Sequence, residues 1–158
     1  MITYNKPTIK IITGSFEVAN ILIDQCKVSK KNIYLLKTQK WYDIGMCKIK
    51  LDELIHDTPN YALHINYKNK KILYVVDTNS VTHIKAKDYD LFLIEANYKK
   101  EILEKHKQEK NENDEYNHLY RVENTHLSYE EANDFLIENM KSDSQFEYIH
   151  QSSYNFEE

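Results

Sequence analysis

The chain has 158 residues, 41% hydrophobic and 29% charged, with a formal net charge of −4. That length suits one domain with a real core, and the composition excludes a disordered chain. The charge argues against a nucleic-acid partner held by bulk attraction alone, leaving room only for a local basic strip. No run approaches the ~18 apolar residues of a membrane span, and the start MITYNKPTIK lacks a signal-peptide core. Two cysteines, Cys26 and Cys47, are too few for a zinc knuckle and do not suggest a secreted disulfide scaffold, so a cytoplasmic protein is expected.

In chain order, TIKIIT (8–13) alternates like a strand. Gly14 and Ser15 then turn into a helix, with Ser15 as N-cap and Phe16, Ala19 and Ile23 on one face. NIYLLK (32–37) is expected as a short strand, and residues 47–56 alternate with Cys47, Ile49 and Leu51 on one side. The turn DTPN leads to YALHINY, and KNKK closes a hairpin into ILYVVD. YDLFLIEANY predicts a buried strand and residues 99–110 a charged helix. NENDEYN is expected as a solvated loop. SYEEANDFLIENM predicts an amphipathic helix opened by a Ser128/Glu131 capping box, and FEYIH a last strand. No internal repeat and no linker rich in Pro, Gly or Ser divides residues 1–158. The order predicts a mixed α/β layer protein rather than a plain doubly wound sheet.

The stretch ILYVVDTNS (72–80) ends an apolar strand on Asp77. Asp is depleted in strands, and a lone buried carboxylate is costly unless paired or bound to metal. Two readings stand: Asp77 caps the following turn, with Thr78 and Asn79 as further turn formers, or it is a metal ligand. Three of the seven histidines occupy comparable places: His56 in ELIHDTPN, His126 in ENTHLSYEEA and His150 in EYIHQSSYN. Loops at one edge of an α/β sheet converge and build sites, and imidazole with carboxylate suits zinc, manganese or iron. The plainer alternative for each is a hydrogen-bonded surface histidine, and spacing alone does not decide. His64, His83, His106 and His118 fall in strand-surface, loop or charged-helix settings. With only Gly14 and Gly45 a phosphate-cradling loop is hardly attainable, and no G-x-S-x-G elbow exists. Most of the 13 tyrosines fall at strand positions, where aromatics are favoured anyway.

The ordered segments HDTPNYALHI, ILYVVDT, LFLIEANY, THLSYEEANDFL and YIHQSSYN resemble the carboxyl-terminal half of a metallo-β-lactamase-fold hydrolase, nearest its ribonuclease Z and phosphodiesterase-like branch. The resemblance runs from Ile12 to Asn155. It implies an α/β fold: half of an αββα sandwich, a mixed sheet with flanking helices. By the same resemblance His56 and His150 would be terminal ligands of two metals, zinc or manganese, and Asp77 the bridge between them. His126 would be the general acid, and Glu95 and Asp57 would stand beside the ligands. The H-x-H-x-D-H loop that supplies most ligands in that family is absent. Two protein ligands per metal fall short of the three usual at catalytic zinc, with Asp57 or His64 the nearest further donors.

The implied function is therefore a metal-dependent, phosphodiester-directed hydrolase, split or truncated, needing a partner. That partner would be a second copy or a complementing amino-terminal half, seated on an apolar face of TIKIIT and FEVANILI. The alternative is a catalytically silent binding or inhibitory module of a phage or other mobile element, towards which Gln151 in HQSS leans by replacing an apolar residue. A plain α/β domain with incidental histidines is the third reading.

Overall fold

The computed structural model describes residues 11–109 and 114–152. In chain order its elements are β1 (Ile11–Thr13), α1 (Phe16–Asp24), β2 (Ile33–Leu35), β3 (Tyr42–Ile44), β4 (Cys47–Glu53), β5 (Tyr61–Tyr67), β6 (Lys70–Val75), β7 (Tyr89–Glu95), α2 (Lys100–Glu109), α3 (Asp114–Thr125), α4 (Tyr129–Asn139) and β8 (Met140–Ile149). Strands β3 to β8 make one six-stranded sheet in sequence order, and β1 pairs with β2 in a separate two-stranded parallel sheet. The large sheet is antiparallel from β3 through β6 and parallel across β6, β7 and β8. Parallel neighbours need long crossovers. Here residues 76–88 join β6 to β7, and the three helices α2, α3 and α4 join β7 to β8. Both crossovers leave from one edge of the sheet and re-enter at the opposite one, so the last residues of β6, β7 and β8 share one edge.

Strand alternation sorts the side chains into two layers. On one face Ala62, Leu73, Val75, Phe92 and Ile94 pack beneath Ala132, Phe135 and Leu136 of α4 and beneath Val81, Ile84 and Ala86 of the first crossover. Phe92 meets Phe135 edge-on at 6.3 Å. On the other face Ile49 and Leu51 pack with Leu36, Ile12, Tyr61 and Leu63 beneath the small sheet. Gly14 is required there, because a Cβ would lie 2.7 Å from the Tyr61 ring. Further across that same face the cover stops: Ile65, Ile72, Leu91 and Leu93 are half-buried, and Tyr74 is exposed.

Local signals explain the helix starts. The Ser15 hydroxyl accepts from the Val18 N–H at the head of α1. Ser128 and Glu131 form a reciprocal capping box at α4, which satisfies two otherwise orphaned donors. Three expectations need correction. Strand β3 was not foreseen; it hangs on β4 through a two-residue hairpin turn whose first residue, Gly45, has φ 63°, the place where such a turn demands glycine. Residues 114–117, expected in a solvated loop, begin α3, while 111–113 lie outside the described residues. Strand β8 starts at Met140, well ahead of FEYIH, with a register shift opposite Tyr89 and Leu91. Its polar segment conceals it because β8 is an edge strand, where charged and polar residues are tolerated. Residues 8–10 of the first expected strand, Lys110, Tyr154 and Asn155 also lie outside the described residues. Among the described residues no helix is long and apolar enough to cross a membrane.

Candidate metal centre

Each of the three strand ends at the shared edge leads directly to a polar side chain. After β6 the chain turns at Asp77 with φ 55°. The Asn60 side-chain amide holds that turn by donating to the carbonyls of Val76 and Asp77. Glu95 is the last residue of β7 and is fully buried. After β8 the chain turns again at His150, also with φ 55°, and the Asn97 amide donates to its carbonyl at 2.8 Å. His126 follows α3 and precedes the N-cap of α4, with its N–H bonded to the Val122 carbonyl and Leu127 buried beside it. A left-handed backbone costs a non-glycine residue about 1–2 kcal/mol, and Asp and His are among the types that tolerate it. Two of the four residues pay that cost, each braced by an asparagine.

The side chains converge on Glu95. Nδ1 of His126 donates to Glu95 Oε1 at 2.6 Å and Nδ1 of His150 donates to the same oxygen at 2.9 Å. The other oxygen, Oε2, accepts from the Thr78 backbone N–H at 3.0 Å. Asp77 Oδ1 lies 3.1 Å from His150 Nδ1 and 3.7 Å from His126 Nδ1. One donor atom from each of Asp77, Glu95, His126 and His150 lies within 4.8 Å of the other three. His56 stands beside this group, its ring centroid 6.0 Å from that of His126. Its Nδ1 is turned towards its own loop, 3.0 Å from Thr58 Oγ1 and 2.9 Å from Asp57 Oδ1. Asp57 in turn pairs with Arg121 of α3 at 2.9 Å.

The charges explain what such a cluster can do. Asp77 and Glu95 make their ion contacts with the two histidines, so two carboxylates share a small volume. The hydrogen bond to Glu95 raises the His126 pKa above its ordinary 6.5; burial opposes this, the charges of Glu95 and Asp77 add to it, and Arg121 opposes it. A divalent cation would satisfy the same carboxylates. Two imidazoles and two carboxylates are a donor set suited to zinc or manganese, so the residues present fit a metal ion. Asp77, His126 and His150 were all legible as candidates; Glu95 was expected beside the ligands, and the structure puts it at the centre, within reach of both imidazoles. The bracing asparagines and Arg121 were missed, and only the turn-forming character of Asn hinted at the former. His64, expected on a strand surface, is instead fully buried.

The architecture is matched by a solved structure, that of the metallo-β-lactamase fold protein YhfI from Bacillus subtilis. The two superpose with a TM-score of 0.54 at 18% sequence identity, over 85% of this chain and 50% of that one. The fold of this chain is thus metallo-β-lactamase-like. The chain spans about half the length of that protein. No family model and no curated protein sequence matches it.

Proposed function

We propose that this chain supplies the carboxyl-terminal half-site of a metal-dependent, phosphodiester-directed hydrolase, and that a second segment carrying an H-x-H-x-D-H loop completes it. The observation that carries this reading is the convergence of Asp77, Glu95, His126 and His150 at the edge of a metallo-β-lactamase-like sheet. In it, Asp77, His150 and His56 would hold the metal, Asp77 as the ligand on which its binding most depends. Zinc or manganese, when bound, supplies Lewis acidity and an activated water. Glu95 fixes both imidazoles through their Nδ1 atoms, as carboxylates do behind metal-binding histidines. His126, whose imidazolium form Glu95 stabilises through Nδ1, protonates the departing oxygen from Nε2 as general acid.

The uncovered part of the sheet supports the need for a partner, a second copy or the complementing half. Tyr74 is exposed there, and Phe16, Ile21 and Leu35 of the first elements are exposed as well. Exposed apolar side chains mark contact sites where they gather into a patch. The test is to mix the chain with a fragment bearing H-x-H-x-D-H and measure metal-dependent cleavage of a phosphodiester. Activity should appear only in the mixture. Asp77→Ala should remove metal and activity together, whereas His126→Ala should keep the metal and lower turnover by roughly 10²–10⁴-fold. Loss of metal in His126→Ala would make His126 a ligand instead. A second reading, a silent binding module, is favoured by Gln151 in HQSS, which stands where the resembling motif carries an apolar residue. It prevails if the partner binds tightly and no fragment restores cleavage.

A further inference from the structure

We propose that Arg121 is the anion anchor of this site, held in reserve by Asp57, and that it selects a substrate presenting unesterified phosphoryl oxygens. This rests on the metal-centre reading above and deepens it. Arg121 is the only arginine in the chain, and it lies on α3, the helix that delivers His126. Its Nη2 reaches a loop 64 positions away in sequence to meet Asp57 Oδ2 at 2.9 Å. The second Asp57 oxygen lies 2.9 Å from His56 Nδ1, and His56 packs against His126 at 6.0 Å. Arg121 therefore sits at the rim of the cluster.

Asp57, Asp77 and Glu95 make the metal-free site negative, and a cation at the rim adds to the attraction that a bound metal exerts on an incoming anion. A guanidinium carries five N–H donors in a planar fork, and the contact with Asp57 engages one of its terminal nitrogens. Both partners are open to water, with side chains 68% and 43% exposed. Such a pair is weakly held, whereas two oxygens of a phosphoryl group can engage the fork bidentately with charge assistance. Asp57, once released, keeps its contact with His56.

The test uses the full chain with zinc in excess. Zinc affinity is measured first by calorimetry for the native protein and for Arg121→Gln, Arg121→Lys and Asp57→Asn. Binding of inorganic phosphate, dimethyl phosphate and acetate to each zinc-loaded protein follows. Zinc should bind the native protein and both Arg121 variants alike, and Asp57→Asn, which alters the partner of His56, is compared with them at saturating zinc. Arg121→Gln should weaken phosphate and dimethyl phosphate by about tenfold or more, and Arg121→Lys should recover part of the loss. Asp57→Asn should tighten both, because it removes the competitor for the fork; a merely structural bridge between loop and helix would not give opposite effects from its two ends. Equal phosphate affinity in native protein and Arg121→Gln, with zinc still bound, overturns the anchor while leaving the metal reading intact. Equal sensitivity of acetate overturns the choice of phosphoryl substrates. Failure of the native protein to bind zinc overturns the metal reading and the anchor with it.

Discussion

At the edge of the sheet two imidazoles share Glu95 and Asp77; in its middle a third imidazole, His64, lies between Asp52 and Tyr89. The two places use the same side-chain chemistry to opposite effect. His64 is fully buried, with Nδ1 2.9 Å from the Tyr89 hydroxyl and Nε2 3.0 Å from Asp52 Oδ2. The contact with Asp52 is close but lacks hydrogen-bond geometry, and Asp52 Oδ1 is unpaired as well. Burial pushes the His64 pKa down from 6.5 to about 4, Lys50 adds to the fall, and Asp52 opposes it. Lys50 sits 2.7 Å from Asp52, so the inner carboxylate is already neutralised and the imidazole stays uncharged. At the edge, two carboxylates face imidazoles, and the His126 pKa moves up instead. The difference lies in the balance of fixed charges around each histidine. Where a lysine closes the balance the cluster is a structural network; where the excess remains it calls for a cation.

The largest effect expected from breaking this contrast is on metal affinity. Asp77→Ala should weaken zinc at least 100-fold, beyond the 10–100-fold usual for residues behind the ligands, while Asp52→Asn leaves zinc unchanged; equilibrium dialysis of both variants checks it. On stability the order reverses. His64→Ala should cost about 3 kcal/mol in urea unfolding, because it strands the Tyr89 hydroxyl and an already under-bonded Asp52.

The pH dependence follows from the same residue. An unfolded chain binds a proton at His64 near pH 6.5 and the folded chain only near pH 4. In that window the unfolded state therefore holds more protons, so stability is full above pH 6.5 and is lost as pH falls towards 4. His64→Gln should flatten the slope of Tm against pH between those values, and an unchanged slope would remove His64 as its cause. The smallest effect is at Asp77. With metal absent, Asp77→Gly should raise stability by about 1 kcal/mol or less, since glycine adopts φ 55° without strain but loses more entropy on folding. A clear loss in thermal unfolding would show that the carboxylate is itself structural.

The outer contrast was legible in sequence and the inner one was not, for a definite reason. Apolar strands that end on Asp77 and Glu95 announce themselves, and the order of the histidine motifs points to one edge. Their convergence still depends on β6, β7 and β8 being parallel, which alternation alone does not reveal. In YALHINY the large residues Tyr61, Leu63, Ile65 and Tyr67 look like the buried face, which puts Ala62, His64 and Asn66 towards water. The structure covers one face fully and the other only in part, and the deeper one is the face of small and polar residues, because Ala62 and His64 lie on the side that α4 and the first crossover cover. Helix α3 escaped notice because its opening residues are polar and charged, and β8 because an edge strand needs no apolar run.

The central claim is that uncompensated carboxylate charge at the sheet edge holds a divalent cation. Calorimetric titration of the metal-free full chain with zinc tests it most directly. The prediction is saturable binding of fewer than two ions per chain, abolished in the double variant Asp77→Ala/Glu95→Gln and preserved in Asp52→Asn. Absence of saturable binding, or binding that survives the double variant, would contradict it.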